Sequence, residues 1–127
     1  MKINTLSSIL MGLSLLLLSQ AAAAAWPTSV FGTWNVRANQ TPGTMHITFQ
    51  SGTGACRQIL GDILGSPMQG FYCPSTGRIQ FLRKNSANDT FQVYSANLTS
   101  TGVTNFMGGS FSSYDSAFGE YSFFASK

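Results

Sequence analysis

Hydrophobic and polar residues alternate with a period of two along much of the chain from residue 26 onward. In the stretch 44–50, Met45, Ile47 and Phe49 are expected to face one way and the polar residues between them the other. Strict alternation over several residues indicates a β-strand with one buried face. Comparable alternating or aromatic-rich runs, separated by clusters of Gly, Pro, Asn and Ser, occupy 30–38, 56–64, 68–73, 78–84, 90–99, 103–112 and 118–125. The pattern therefore predicts eight strands.

The connections between these runs are short, so each strand is expected to pair with the next one in the chain. Sequential hairpins form an antiparallel meander, and closing eight strands into a barrel removes both exposed edges. We therefore predict an all-β fold, an eight-stranded antiparallel up-and-down barrel, with a flattened sandwich as the alternative. Gly108 and Gly109 interrupt the seventh run, where glycine marks a bulge, a sharp bend or a close approach by another backbone.

The only two cysteines, Cys56 and Cys73, fall in the third and fourth runs. If that hairpin turns about the bond between Leu64 and Gly65, the two cysteines lie directly opposite each other. Opposed residues of antiparallel strands approach closely enough for a disulfide. We therefore expect a disulfide across this one hairpin, which by the loop-entropy estimate contributes about 3 kcal/mol of stability.

The N-terminus carries the features of a secretory signal peptide in their usual order. A positive charge at Lys2 precedes an almost wholly apolar stretch over 6–18 and a run of alanines that ends at Ala25, after which cleavage is expected. An apolar stretch of about 13 residues is shorter than the ~20 that span a membrane. These features predict a signal peptide over 1–25 and a single β-barrel domain over 26–127. The domain is expected to be periplasmic or secreted, with no membrane insertion after cleavage.

Charged residues are sparse and scattered. Seven Lys and Arg stand against four Asp and Glu, and only Arg83 and Lys84 are adjacent basic residues. Proteins that bind nucleic acid normally carry a clustered basic patch. We therefore expect no nucleic-acid partner.

The single histidine, His46, alternates with polar residues and is predicted to face solvent. A Ser-His-acid triad needs an oriented serine and acid beside the histidine, and no motif such as G-x-S-x-G accompanies this one. A zinc site of ordinary composition needs more His and Cys ligands than the chain supplies once its cysteines are paired. The sequence thus predicts a protein that is not an enzyme, with no catalytic residue, no metal site and no cofactor.

The Gly-Thr-Trp triplet at 32–34, on the first strand of an eight-stranded meander, resembles the calycins, the superfamily of lipocalins, fatty-acid-binding proteins and avidins. The resemblance implies that Trp34 closes one end of the barrel against an arginine from a late strand, for which Arg83 is the candidate. The chain looks most like an avidin-like or small lipocalin-like exported bacterial domain. It departs from the avidins at the biotin site: Trp26 is the only other tryptophan, and Val36 stands where those proteins have an asparagine. We expect no tight biotin binding.

Aromatic side chains are numerous for a domain of this size, with ten Phe, four Tyr and two Trp. Alternation predicts that the inward-facing set is Phe81, Phe91, Phe111 and either Tyr121 with Phe123 or Phe124. An eight-stranded barrel is either filled by its side chains or holds one small ligand. Large inward rings favour a packed core, whereas glycines at 70, 108 and 109 would open room.

The calycin resemblance and the aromatic content favour a binding protein that takes a small, largely apolar ligand in the open mouth of the barrel. The residues expected to contact the ligand are Phe81, Phe91, Tyr94, Phe111 and Tyr121. The alternative is a protein partner: an inhibitor of an envelope or secreted enzyme that acts through a surface loop at 112–116 or 85–89. Self-association through an exposed Phe106 or Phe124 is compatible with either function.

Overall fold

The computed structural model describes residues 26–85, 90–114 and 118–127, and the predicted signal peptide over 1–25 lies outside them. The described part forms eight strands: β1 (Gly32–Ala38), β2 (Thr41–Gln50), β3 (Arg57–Ile63), β4 (Ser66–Cys73), β5 (Arg78–Asn85), β6 (Thr90–Ser100), β7 (Asn105–Ser113) and β8 (Gly119–Ser126). Each strand pairs antiparallel with the next, and β8 pairs with β1. The predicted closed barrel is confirmed, and the flattened sandwich is wrong. No helix in the described residues has the length and apolar character to cross a membrane.

Side chains from all eight strands fill the barrel interior. The largest of the fully buried ones are Trp34, Tyr72, Tyr94, Met45, Ile47, Ile59, Ile63, Ile79, Met107 and Val30. The alternation predicted for β1 and β5 is confirmed, because Trp34, Val36 and Ala38 are buried on the first strand and Ile79 and Phe81 on the fifth. The barrel centre is therefore a packed core, which leaves the ends of the barrel and its outer surface for binding.

β2 departs from the predicted alternation after Ile47. Ile47 lies opposite Gly61 of β3 and Phe49 lies opposite Leu60, so Thr48 is an extra residue in a β-bulge. A bulge moves the residues that follow it by one position along the pairing and so reverses the face they take. Phe49 is accordingly 45% exposed, and the prediction that it faces inward is wrong.

The β3–β4 hairpin has the predicted register, with Ile63 opposite Ser66. The two turn residues at 64–65 have φ of 50° and 76°, the pair of left-handed residues that a type I′ turn requires. Cys56 and Cys73 form the predicted disulfide, with Cα atoms 4.1 Å apart. A disulfide is consistent with an oxidising, exported location.

Three glycines on the inner face let neighbouring strands approach more closely than any side chain permits. The distance from an added Cβ atom to a carbonyl oxygen of the next strand would be 1.8 Å from Gly61 to His46, 2.0 Å from Gly70 to Gln80 and 2.0 Å from Gly109 to Ser95. Gly108, in contrast, lies on the outer face with open space around it. The expectation that Gly70, Gly108 and Gly109 open a cavity is therefore wrong, because backbone takes the space at two of them.

Residues 26–31, named the plug segment here, cross the end of the barrel at which β1 begins. Trp34 Nε1 donates a hydrogen bond to Val30 O at 2.8 Å, and Trp26 Nε1 donates to Leu98 O at 3.0 Å. Val30, within the plug segment, is fully buried in the barrel core. This end is the closed end, and the opposite end, which carries the turn at 64–65, is the mouth.

Candidate functional site

Four aromatic rings from four consecutive strands form a stacked row inside the barrel near the mouth. Phe81, Tyr94, Phe111 and Tyr121 lie directly opposite one another in the registers of β5 to β8. Neighbouring ring centroids along the row are 4.7, 4.8 and 5.3 Å apart, and the interplanar angles are 9°, 20° and 32°. Phe123 packs edge-on against Tyr94 at 5.1 Å. Cross-strand aromatic pairs stabilise a sheet and restrict ring motion, so the four rings of this aromatic row form a rigid surface.

The aromatic row borders a cavity of about 260 Å³ at the mouth of the barrel. The cavity, named the mouth pocket, is lined by Ala38, Asn39, Thr41, Leu64, Arg83, Gln92, Tyr94, Phe111, Ser113 and Tyr121. Phe81 does not line the pocket itself, but its ring stacks on Tyr94, which does. Common ligand sites have volumes of about 300–1,000 Å³, so the mouth pocket suits a small molecule and not a long acyl chain.

Three polar side chains form a hydrogen-bond network in the pocket. Tyr94 Oη donates to Gln92 Oε1 at 2.8 Å, and Arg83 Nη1 donates to the same oxygen at 3.4 Å. Because both neighbours donate, the Gln92 side chain must turn its oxygen towards them, which leaves its amide NH₂ group to face other partners. The Gln92 side chain, held by these two bonds, lines the pocket beside the aromatic row.

Arg83 is held in place by the turn between β3 and β4. Its Nε donates to Ile63 O at 3.0 Å and its Nη2 to Leu64 O at 3.2 Å. Together with the bond to Gln92, these contacts use three of the five guanidinium N–H groups. The guanidinium of Arg83 lines the mouth pocket and forms a cationic, donor-rich part of its wall. Such a wall favours a ligand group that accepts hydrogen bonds, and a carboxylate above all.

Burial raises the pKa of Tyr94 to about 12, and the charge of Arg83 offsets this only in part. Because the pKa is higher in the folded chain than the ordinary value of 10.0, the folded state holds the phenol proton more tightly than the unfolded state. The stability that Tyr94 contributes is complete below pH 10 and is lost as the pH rises to about 12. We expect the free energy of unfolding to fall by up to about 1.4 kcal/mol per pH unit in this window.

The measurement is urea unfolding at several pH values between about 8 and 11.5, on the native chain and on Tyr94→Phe. The variant keeps the stacked ring and has no phenol at position 94, and every other side chain is common to both proteins. The difference between the two pH profiles therefore isolates Tyr94. Parallel profiles would show that this phenol ionises as it does in the unfolded chain.

The structure brings together four of the five residues that the sequence assigned to the ligand, namely Phe81, Tyr94, Phe111 and Tyr121. Phe91 lies on the outer face instead, where it is 44% exposed and its ring stacks against Tyr114 at 5.3 Å. The prediction that Phe91 faces inward is wrong. Residues of a regular strand share a face only when they are an even number apart, and Phe91 and Tyr94 are separated by three positions.

Trp34 does not pair with Arg83, contrary to what the calycin resemblance implies. Trp34 lies beside the plug segment at the closed end, and the cation over its ring is Lys127, whose Nζ is 6.0 Å from the ring centroid. Arg83 binds the β3–β4 turn at the mouth. The tryptophan closes one end of the barrel as expected, and the arginine serves the other.

Four polar residues that line the mouth pocket, Asn39, Thr41, Gln92 and Ser113, were not among those that the sequence assigned to the ligand. Gln92 lies two positions before Tyr94 and Ser113 two positions after Phe111, so strand periodicity places each on the inner face beside a predicted aromatic residue. Inward polar residues near a strand end are therefore the signal that marks this pocket in the sequence. The candidate inhibitor loops at 112–116 and 85–89 include residues outside the described part, and that hypothesis stays a prediction.

The described titratable residues do not assemble a metal site. Among them, no three His, Cys, Asp or Glu side chains come close enough together to hold a metal ion. His46 lies on the outer face, where its Nδ1 is 3.1 Å from Thr33 Oγ1. The mouth pocket combines a protonated phenol, an amide and a guanidinium, which are groups that recognise a ligand by donating hydrogen bonds.

No family model, no curated protein and no solved structure matches this chain. The likeness to calycins therefore rests on features of the chain itself: eight antiparallel strands in sequence order, closed into a barrel, with a buried tryptophan on the first.

Proposed function

We propose that the protein is an exported, non-enzymatic binding protein with a calycin-like barrel, which holds a small ligand in the mouth pocket. The proposal rests on one observation: residues of the aromatic row line the same cavity as the polar side chains of Arg83 and Gln92. An apolar wall with a few fixed polar groups is the usual composition of a small-molecule site. The barrel centre is packed, so a ligand that enters the barrel is held at the mouth.

The chemistry of the pocket defines the class of ligand. Flat rings gain most from contact with Tyr94, Phe111 and Tyr121, because aromatic faces stack on planar partners. The N–H donors of Arg83 and Gln92 suit one acceptor group, such as a carboxylate, at the edge of that ring. The proposed ligand is therefore small and largely apolar, with a planar portion and one hydrogen-bond-accepting group.

Export supports this role by giving the protein access to molecules outside the cytoplasm. The signal-peptide pattern over 1–25 and the disulfide between Cys56 and Cys73 both favour the periplasm or the extracellular space. In either place, a small barrel with a packed core can carry or sequester a ligand without any chemical change to it.

Phe111→Ala is expected to weaken binding of 2-naphthoate at least 10-fold, whereas Phe91→Ala leaves it unchanged. The probe has a flat apolar ring and one carboxylate, and Phe111 lines the mouth pocket whereas Phe91 lies on the outer face. Isothermal titration calorimetry of the native chain and both variants measures the effect. Unfolding curves of the same samples separate lost contact from lost structure.

The cationic probe 2-naphthylmethylamine is the matched control for ligand charge, because it keeps the ring and places a positive group against Arg83. We expect it to bind at least 10-fold more weakly than 2-naphthoate. Native mass spectrometry of protein taken from its own compartment adds an independent test, since a carried ligand appears as extra mass that is lost on denaturation. Equal binding of both probes, or equal loss in both variants, would contradict the proposed site.

A further inference from the structure

One side of the barrel's outer surface carries a continuous group of apolar and glutamine side chains. On β3 to β6 the outward residues include Leu60, Phe71, Leu82, Phe91 and Val93, together with the glutamines Gln58, Gln69 and Gln80. On β1, β2, β7 and β8 the outward residues include many Thr, Ser and Asn, such as Thr33, Asn35 and Ser122, and the exposed rings of Phe49 and Phe124 lie among them. The group on β3 to β6 is named the lateral patch here.

The registers show that the lateral patch is contiguous. Leu60, Gln69, Leu82 and Val93 are directly opposed in one row across four strands. Phe71 lies in the adjacent row. Two neighbouring hollows of about 400 and 540 Å³ both include Gln69 and Leu82 in their walls. The patch therefore contains hollows as well as apolar side chains, and Gln69 and Leu82 lie at its centre.

The exposed apolar area of the lateral patch is large enough for a binding role. Leu60, Phe71, Leu82 and Phe91 are between 37% and 44% exposed, which for side chains of about 200 Å² amounts to roughly 300 Å² of apolar surface. Patches of this size on a monomer usually have a binding role. Val93 and the glutamines extend this surface towards an interface of standard composition, of which somewhat more than half is apolar.

The polar groups of the patch suit a second copy of the same chain. A two-fold interface sets each surface against itself, so a charged centre would bring like charges together. The lateral patch has uncharged glutamines there, and each glutamine amide both donates and accepts hydrogen bonds, which makes it complementary to itself.

We propose that the protein forms a two-fold symmetric dimer through the lateral patch. The mouth pocket opens at the end of the barrel and the patch lies on its side, so dimerisation leaves the pocket open. The dimer is independent of the proposed ligand and is tested without it.

Sedimentation velocity of the exported protein between about 1 and 100 μM measures the dimer directly. We expect a concentration-dependent shift from monomer to dimer. Leu82→Glu and Gln69→Glu are each expected to raise the dissociation constant at least 10-fold, because both put like charges at the centre of the interface. Gln69→Glu is nearly isosteric and exposed, so it tests the patch even if Leu82→Glu does not fold.

Phe124→Glu is the matched control, since Phe124 is equally exposed on β8, outside the patch. It should dimerise as the native chain does. A native chain that stays monomeric at 100 μM would overturn the proposal, and so would dissociation by Phe124→Glu with Gln69→Glu still dimeric. Binding of a different protein to a monomeric chain through Leu82 would assign the patch to another partner and equally overturn the dimer.

Discussion

Gly109→Ala is expected to lower the free energy of unfolding by about 3–5 kcal/mol, whereas Gly108→Ala changes it by less than about 1 kcal/mol. The two glycines are neighbours on β7, yet their surroundings differ completely. A Cβ atom on Gly109 would lie 2.0 Å from Ser95 O and 2.8 Å from Ala96 Cα, so β6 and β7 would have to separate. Backbone cannot turn aside as a flexible side chain can, and the strain therefore extends along the ladder.

Gly108 provides the control because an added methyl group meets no atom within 4 Å. Both substitutions also reduce the freedom of the unfolded chain, which adds up to about 1 kcal/mol of stability in each case. The difference between the two variants therefore measures the steric effect alone. Urea unfolding followed by circular dichroism is the measurement, and equal midpoints for the two variants would show that β6 and β7 are not held this close.

The barrel itself could be predicted from the sequence because the patterns that define its strands and turns are local in the chain. Alternation marks the strands, short turns imply that neighbours pair, and the hairpin register follows from the glycine turn at 64–65 together with the cysteines at 56 and 73. Phe49 could not be placed correctly, because the bulge at Thr48 depends on how β2 fits β3 and not on either strand alone. One extra residue reverses a face without leaving a clear mark in the sequence.

The candidate site was predictable in its aromatic part and not in its polar part. Phe81, Tyr94, Phe111 and Tyr121 are conspicuous on their strands, and the barrel sets them in one row. Arg83 was assigned to Trp34 by resemblance, yet which end of a barrel an inward residue reaches depends on the stagger between strands. That stagger is a property of the closed sheet, so it emerges only when all eight registers are known.

The two ends of the barrel have different physical characters, and this asymmetry agrees with the proposed role. At the closed end, the plug segment packs on Trp34, and its own Val30 is buried. Apolar contacts therefore continue to the edge of the core. At the mouth, the core ends in rings and N–H donors around an open cavity. Among the described residues the mouth, and not the closed end, offers a cavity to a ligand, and the strength of the closed end should matter for stability more than for binding.

Trp34→Ala is accordingly expected to lower the free energy of unfolding by about 3–5 kcal/mol, the range for removing a fully buried tryptophan. Trp34 is 1% exposed. Its loss also leaves the Val30 carbonyl without the indole donor, an unmade hydrogen bond in a buried place. Trp34→Phe keeps most of the apolar contact and removes only that donor, so it should cost about 1–3 kcal/mol. Urea unfolding of the two variants separates packing from the hydrogen bond.

Trp26 supplies the comparison within the same segment. It is 42% exposed and makes one indole hydrogen bond, to Leu98 O, so Trp26→Ala should cost only about 1–2 kcal/mol. In Trp34→Ala the remaining tryptophan, Trp26, also reports on the plug segment, because its fluorescence shifts to longer wavelength if the segment detaches. A cost for Trp34→Ala no greater than for Trp26→Ala would mean that Trp34 does not hold the closed end. The expected order instead, with Trp34→Ala above the other two variants and Trp26 emission shifted, would show that the indole on β1 holds the closed end in place.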